Sequence, residues 1–138
     1  MDVDALARQD FISITTFRRD GTPVATPMWV VESDGHLYLW TGSQTGKVKR
    51  IRNNPEVTLA PCTRGGRVTG VAVPATARIL PMGERPQLWP AFPAKYGWTL
   101  RLIIIAERIS EVLRIGPFHK QGERIYIELT VANRAPER

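Results

Sequence analysis

Short runs of alternating apolar and polar residues recur along the chain, and most of them end at a turn signal. Residues 11–17, which read FISITTF, are rich in aromatic and branched side chains, as is typical of a strand. The pair Asp20-Gly21 behind this run indicates a hairpin. Further strands are predicted at residues 24–31, 37–40, 57–62, 68–80 and 124–131, so the pattern indicates six strands and a mainly β fold.

Two prolines interrupt the predicted strands. Pro27 has no N–H to donate to a ladder, so its strand is expected to lie at a sheet edge or to bulge at Thr26-Pro27. A flat ligand could pair with the exposed backbone there, although simple protection of an edge strand explains the proline equally well. Pro74 indicates a bend in the fifth strand, of the kind that lets a small sheet curl towards a barrel.

Helical periodicity is weaker and concentrated late in the chain. A short basic helix is predicted behind the third strand, and it ends before Pro55. Residues 84–96 and 100–109 also have helical periodicity, but prolines break the first of them, so short helices are expected before one better helix. The aromatic residues of this insert are expected to pack on the core, the alternative being that they cap a substrate pocket: Trp89, Phe92, Tyr96 and Trp98.

The basic helix carries the candidate chemistry. It follows a flexible, hydroxyl-rich loop, and Lys47 adds positive charge to the backbone N–H groups of the helix start, so a phosphorylated small molecule is the first candidate ligand. At about 100° per residue, Val48 and Ile51 point to the core. Lys47 and Arg52 then flank the apolar side, whereas the solvent side holds Lys49, Arg50 and Asn53. A solvated amphipathic helix without a ligand explains the same charges.

Composition limits the class of protein. The 138 residues fit one domain, spanning residues 1–138, and neither a signal peptide nor a membrane-spanning apolar run is visible. Cys62 is the single cysteine, so no internal disulfide is expected, and the thiol is expected to be buried and inert in a reducing cytoplasm. His36 and His119 are too isolated to indicate a zinc site.

The net charge indicates the chemistry of the partner. A formal net charge of +6 favours an anionic partner, and nucleic acid, an acidic membrane face and a polyanionic cofactor all meet that condition. Cations outside the basic helix are scattered, and no zinc-finger, basic-zipper or RNP signature accompanies them. Charge alone does not choose among these partners, but the missing signatures disfavour nucleic acid, and neither a nucleic-acid nor a membrane partner is expected.

With these elements placed, the chain resembles the split β-barrel class of flavin-reductase-like proteins that includes pyridoxamine 5'-phosphate oxidase. Within this class it is similar to the deazaflavin-dependent branch, whose members bind coenzyme F420. Three stretches carry the resemblance, at residues 15–29, 39–42 and 46–55, and the likeness extends over nearly the whole of residues 5–132.

The resemblance implies a fold, an assembly and a set of cofactor contacts. The fold is a six-stranded antiparallel split β-barrel with short helices, and a homodimer has two cofactor sites at its interface. The second strand would lie along the deazaflavin ring, the third strand and the basic helix would hold the ribityl and phosphate portion, and the fourth strand would lie nearby. In that order the implied residues are Ala25, Thr26, Pro27, Met28 and Trp29; Trp40, Thr41, Gly42, Lys47 and Lys49; and Ala60, Pro61 and Cys62.

The implied function is an oxidoreductase that transfers hydride from reduced F420 to a small organic acceptor. An FMN-binding reductase or oxidase of the pyridoxamine-phosphate-oxidase type and a non-catalytic F420 carrier are the alternatives. Ala25 and Val30 stand where the FMN-binding relatives carry basic residues, which argues against tight FMN binding. F420 is itself the hydride donor, so no catalytic residue is predicted. A proton could come from solvent or from Tyr96, Tyr126 or His119.

Overall fold

Seven antiparallel strands form one sheet in the computed structural model, which describes residues 3–113 and 122–131. In chain order they are β1 (Ile12–Phe17), β2 (Pro23–Met28), β3 (Val31–Ser33), β4 (His36–Gly42), β5 (Glu56–Pro61), β6 (Val73–Pro81) and β7 (Arg124–Val131). Their order across the sheet is β2-β1-β5-β6-β7-β4-β3, which places β2 and β3 at the two edges. The mainly β prediction is confirmed, and so is the edge position of the strand that holds Pro27.

The seventh strand arises because the predicted strand 24–31 is broken in two. The chain leaves β2 after Met28 and enters β3 at Val31. At the break, the N–H of Val30 donates to the hydroxyl of Tyr96, and the Val30 carbonyl accepts from Lys95. Side chains from a helix therefore take the backbone groups that a continuous strand would have offered to a neighbour.

The predicted strand 68–80 also begins later, at Val73. Val68 makes only an isolated bridge to Cys62, and the Thr69 N–H donates to the Pro61 carbonyl at 2.9 Å. Gly70 packs so tightly on Pro61 that a Cβ there would lie 2.6 Å from the proline ring. Close backbone approach, rather than strand pairing, thus determines the path before β6.

Three helices accompany the sheet in the described residues: α1 (Val3–Ala7), α2 (Gly46–Asn53) and α3 (Ala91–Leu113). Two short 3-10 turns, Met82–Glu84 and Pro86–Leu88, precede α3, as the prolines of this region predict. Gly97 kinks α3 with φ 55° and ψ −123°, a conformation that glycine adopts readily.

The two faces of the sheet bury two separate clusters. The inner cluster contains Ile12, Ile14, Leu39, Leu59 and Ile127 among others, and α2 adds Val48 and Ile51 to it as predicted. The outer cluster contains Tyr38, Leu80, Phe92, Leu100 and Tyr126, and α3 covers it. Since neighbouring residues of a strand point to opposite faces, consecutive residues of β4 alternate between the two clusters.

Candidate functional site

Helix α2 begins directly behind β4 without a side-chain cap. Thr45 precedes the helix in an extended conformation, and its hydroxyl donates to the Gly42 carbonyl at 2.9 Å. The first bond of helical spacing is donated by the Lys49 N–H to the Thr45 carbonyl. N–H groups ahead of that bond give this end of the helix a positive dipole, which favours an anion.

Lys47 places a half-buried ammonium group beside this helix start. Its Nζ donates to the Oγ1 of Thr41 at 3.1 Å, and Thr41 is itself buried. Burial lowers the pKa of Lys47, and the positive charge of Arg50 lowers it further. No carboxylate in the described part of the chain forms a salt bridge with this ammonium. The charge is thus partly desolvated without a counter-charge, a state that a bound anion would stabilise.

Arg50 contributes a second cation, although helical spacing predicts that it faces solvent. Its Nε donates to the Oγ1 of Thr16 at 2.6 Å, and Thr16 is buried on β1. The side chain folds back over Gly46, where a Cβ would lie 2.8 Å from a guanidinium nitrogen. Helical position determines only the direction of the Cα–Cβ bond, and a long side chain can turn away from it. The solvent-facing prediction for Arg50 is therefore wrong.

Arg18, Lys47 and Arg50 together form a basic cluster at this end of the sheet. Burial lowers the pKa of Arg50, and the nearby charge of Arg18 adds to that effect. The hydrogen bonds of Lys47 and Arg50 go to the buried hydroxyls of Thr41 and Thr16. A hydroxyl oxygen accepts such a bond without neutralising the cation, so the basic cluster fits a phosphate-bearing ligand.

Edge strand β2 lies directly beside the basic cluster. Thr16 is the ladder partner of Val24, and its hydroxyl lies 3.5 Å from the Val24 carbonyl oxygen. The other side of β2 has no strand partner within residues 3–113 and 122–131. A ligand whose phosphate meets the basic cluster can therefore extend a flat ring system along β2.

Two groups of predicted cofactor residues lie on the elements that border the basic cluster. Thr41, Gly42 and Lys47 meet at the junction of β4 and α2. The residues from Ala25 to Met28 run along β2 itself.

Ala60 joins the second of these groups through the register of three strands. Ser13 of β1 is paired with Pro27 on one side and with Ala60 on the other. Paired residues of antiparallel strands point to the same face, so these three residues form one row across β2, β1 and β5. Ser13 and Ala60 are both buried, whereas Pro27 at the sheet edge is half-buried.

Trp40 lies apart from its predicted companions. It points to the opposite face of β4 from Thr41, where its ring contacts Trp89 edge to face with centroids 5.7 Å apart. The guanidinium carbon of Arg124 lies 5.7 Å from the Trp40 ring centroid and 5.2 Å from that of Trp89. The structure does not bring Trp40 to Lys47 through any contact, and it makes Trp40 part of the outer cluster.

The remaining predicted residues differ in their surroundings. Lys49 is exposed on α2. Pro61, the last residue of β5, and Cys62 behind it are buried, and burial raises the pKa of the Cys62 thiol. This agrees with an inert cysteine. Trp29 is half-buried and stacks on Tyr96, with centroids 4.7 Å apart and ring planes at 17°.

Three of the four aromatic residues of the insert pack on the core, and the fourth is exposed. Phe92 is fully buried, and Trp89 and Tyr96 pack against the outer cluster, so core packing is confirmed for these three. Trp98 is 77% exposed, and core packing is the wrong prediction for it, because the Gly97 kink turns the chain immediately before it.

The two tyrosine candidates for proton donor differ in the hydrogen bonding of their hydroxyl groups. The hydroxyl of Tyr96 is engaged with the Val30 backbone, whereas that of Tyr126 is buried without a hydrogen-bond partner in the described residues. His119 lies outside the described residues. Within those residues no three histidine, cysteine, aspartate or glutamate side chains gather in a potential metal site, and no helix is both long and apolar enough to cross a membrane.

Comparison with known proteins places this geometry in context. The family model for pyridoxamine 5'-phosphate oxidase matches residues 3–116. No curated protein matches the chain. A solved F420 reductase shares 17% identity and a TM-score of 0.63, with 94% of this chain and 93% of that chain covered. An FAD-binding protein from Mesorhizobium loti shares 18% identity and a TM-score of 0.56, covering 94% and 86%. General stress protein 26 from Bacillus anthracis shares 21% identity and a TM-score of 0.57, covering 94% and 85%. At these identities the structures show a common fold.

Proposed function

The chain belongs to the pyridoxamine 5'-phosphate oxidase family, and from this we propose that it is an oxidoreductase that transfers hydride from reduced coenzyme F420 to a small organic acceptor. The family consists of oxidoreductases that bind flavin or deazaflavin cofactors. Two findings support F420 in particular: the sequence resemblance to the deazaflavin branch, and the fold shared with an F420 reductase.

The basic cluster is the observation that carries the proposal. Lys47 and Arg50 are partly buried and repel each other, and their hydrogen bonds go to threonine hydroxyls. A phosphate group would accept charge-assisted hydrogen bonds from both, each contributing about 1.5–3 kcal/mol. A phosphorylated cofactor therefore offsets the unfavourable burial of these charges.

The residues of this chain then bind and orient the cofactor. Thr41, Gly42 and Lys47 hold the phosphate and ribityl portion, and Lys49 stands at the rim, where it meets the more exposed anionic groups. Residues 25–29 lie along the ring, and residues 60–62 lie beside the same pocket. When bound, reduced F420 supplies the hydride, so the protein mainly orients the acceptor and excludes water. We infer a homodimer with two such sites at its interface, in the cytoplasm.

FMN is the alternative cofactor, favoured by the family itself and by the similar FAD-binding structure. FMN also carries a phosphate, so the basic cluster accommodates either molecule. Ala25 and Val30 place no basic side chain near the ring, which favours F420. A non-catalytic carrier would use the same binding contacts and would reduce nothing.

Titration of the purified protein with F420 and, separately, with FMN tests the choice of cofactor. Quenching of tryptophan fluorescence follows binding at low and high salt. We expect F420 to bind more tightly than FMN and to weaken with salt, because a phosphate contact is screened by added ions. Preference for FMN would favour the oxidase alternative, and binding of neither would contradict the proposal.

Turnover separates the enzyme from the carrier. Oxidation of reduced F420 is followed with quinones, enones, nitroaromatics and tetrapyrroles as acceptors. Catalysed oxidation by any acceptor of the panel supports the enzyme. If F420 binds but no acceptor of the panel is reduced, the carrier is favoured.

A further inference from the structure

The backbone of Val30, at the break between β2 and β3, is held by two side chains of α3. The Val30 N–H donates to the hydroxyl oxygen of Tyr96 at 2.8 Å. The Val30 carbonyl accepts from Nζ of Lys95 at 2.7 Å, and the Tyr96 hydroxyl lies 3.0 Å from the same carbonyl. Both backbone groups of one residue are therefore fixed by consecutive residues of a helix more than sixty positions away.

Lys95 extends this contact to the beginning of the chain. Besides the Val30 carbonyl, its Nζ donates to the carbonyls of Ala7 at 2.7 Å and Gln9 at 2.9 Å. An ammonium group has three N–H donors, so all of them are used on backbone oxygens. Lys95 thus ties together the end of α1, the segment before β1 and the break after β2.

The ring of Tyr96 fixes a neighbouring side chain as well. It stacks on the ring of Trp29, with centroids 4.7 Å apart and planes at 17°. Tyr96 therefore holds the Val30 backbone through its hydroxyl and the Trp29 indole through its face. Trp29 directly follows β2, along which the deazaflavin ring is proposed to lie.

We propose that Lys95 and Tyr96 are positioning residues for the cofactor ring: they fix Trp29 and the end of β2 in the orientation that the ring contacts. This inference rests on the proposed function, because it concerns the same site. Neither residue touches the basic cluster in the contacts of the described residues. Their loss should therefore weaken the ring contacts and leave the phosphate contacts intact.

Three substitutions separate the hydrogen bonds to the Val30 backbone from the ring stacking on Trp29. Tyr96→Phe removes the hydroxyl and keeps the stacked ring, Tyr96→Leu removes both, and Lys95→Met removes the cation alone. Tyr38→Phe is the matched control, because Tyr38 is a buried tyrosine of the same cluster whose hydroxyl donates to Glu128 at 2.7 Å, away from Trp29. A purely structural effect on stability would appear equally in Tyr38→Phe and Tyr96→Phe.

The experiment measures the dissociation constants of F420 and of inorganic phosphate, together with the near-UV circular dichroism of the free protein. We expect Tyr96→Phe and Lys95→Met to weaken F420 binding about three- to tenfold, since each releases a backbone group of Val30 and so loosens the end of β2. Tyr96→Leu is expected to weaken it further and to remove the near-UV signal that Trp29→Phe also removes. Phosphate affinity should be unchanged in all three, and F420 affinity should be unchanged in Tyr38→Phe.

Two results would overturn the positioning role. One is unchanged F420 affinity in Tyr96→Phe and Tyr96→Leu, and the other is an equal loss in Tyr38→Phe. Failure of the proposed function gives a different result, because the wild-type protein itself would then not bind F420.

Discussion

Lys47 and Thr41 are joined by a 3.1 Å hydrogen bond between Nζ and Oγ1, which links the start of α2 to the end of β4. The bond gives a half-buried cation a neutral partner, and Arg50, one helical turn later, adds a like charge. Two adjacent cations with hydroxyl partners are unfavourable by themselves, and a bound phosphate would offset this cost. This arrangement supports the proposed anion site.

The pH dependence of binding follows from the pKa of Lys47. Burial lowers it from the ordinary lysine value, so the ammonium loses its proton at a lower pH than an exposed lysine does. An anion binds the protonated form and raises this pKa, so affinity should fall as pH rises through the range just below the ordinary lysine pKa. Dissociation constants measured from about pH 7.5 to about pH 10 test this, and Lys47→Met should give a flatter profile.

In the ligand-free protein, the contribution of Lys47 to stability should become more favourable as the pH rises, whereas the affinity for an anion falls. The folded-state pKa of Lys47 is lower than the unfolded-state value, so folding favours the neutral amine. The penalty for burying this charge is therefore present below the folded pKa and is relieved as pH rises towards the unfolded pKa. Urea unfolding of wild type and Lys47→Met should diverge least at the alkaline end.

Arg50 is expected to act on binding both directly and through Lys47. Arg50→Met would remove the proposed phosphate contact, which should weaken cofactor binding about tenfold or more. It also removes a like charge that lowers the pKa of Lys47, so the remaining affinity should be lost at a higher pH than in wild type. Arg52→Met is the control, since Arg52 is exposed on the same helix. An unchanged pH profile in Arg50→Met would contradict the coupling.

Gly122 is expected to control the loop that precedes α2. It has φ +80°, and a Cβ there would lie 2.5 Å from the Ser43 Oγ and 2.7 Å from the Gln44 Cγ. Gly122→Ala should therefore displace this loop and weaken cofactor binding, in addition to a backbone cost of about 1–2 kcal/mol.

Gly35→Ala is the matched control, because Gly35 has φ +82° and nothing within 4 Å of the added Cβ. It should lose stability without a change in F420 affinity. Equal affinity losses in the two variants would show that backbone strain, and not loop displacement, is responsible.

Truncation of Trp98 and of Phe92 should change the free energy of unfolding by very different amounts. Trp98 is 77% exposed, so Trp98→Ala should change the free energy of unfolding by no more than about 0.5 kcal/mol. Phe92 is fully buried, and Phe92→Ala should cost about 3–5 kcal/mol. Urea unfolding of the wild type and the two variants checks both values. A large loss in Trp98→Ala would show that another surface covers this side chain.

The sequence predicts the parts of the fold that depend on local pattern. Alternation locates the strands, and a proline correctly marks the edge strand. The break at Val30 could not be predicted, because its cause is a pair of side chains from a distant helix. Local pattern cannot report a competitor that only tertiary structure brings near.

In the candidate site, too, local pattern predicts some features, and tertiary contacts determine the others. Helix periodicity correctly buries Val48 and Ile51 and places Lys47 at the rim. It misplaces Arg50, whose contact with Thr16 depends on the space above Gly46. The spacing of four residues between Gly46 and Arg50 is the signal that could have indicated this contact, because residues four apart are neighbours on a helix.

The most direct test of the account compares F420 binding in two variants of α2, Lys47→Met and Lys49→Met. Both remove one lysine from the same helix, but Lys47 is half-buried against Thr41, whereas Lys49 is exposed. We predict that Lys47→Met weakens F420 binding at least about tenfold and reduces its salt dependence, with an unchanged fold. Lys49→Met should produce a much smaller effect. Equal effects of the two substitutions, or none from Lys47→Met, would contradict a cofactor phosphate at the basic cluster.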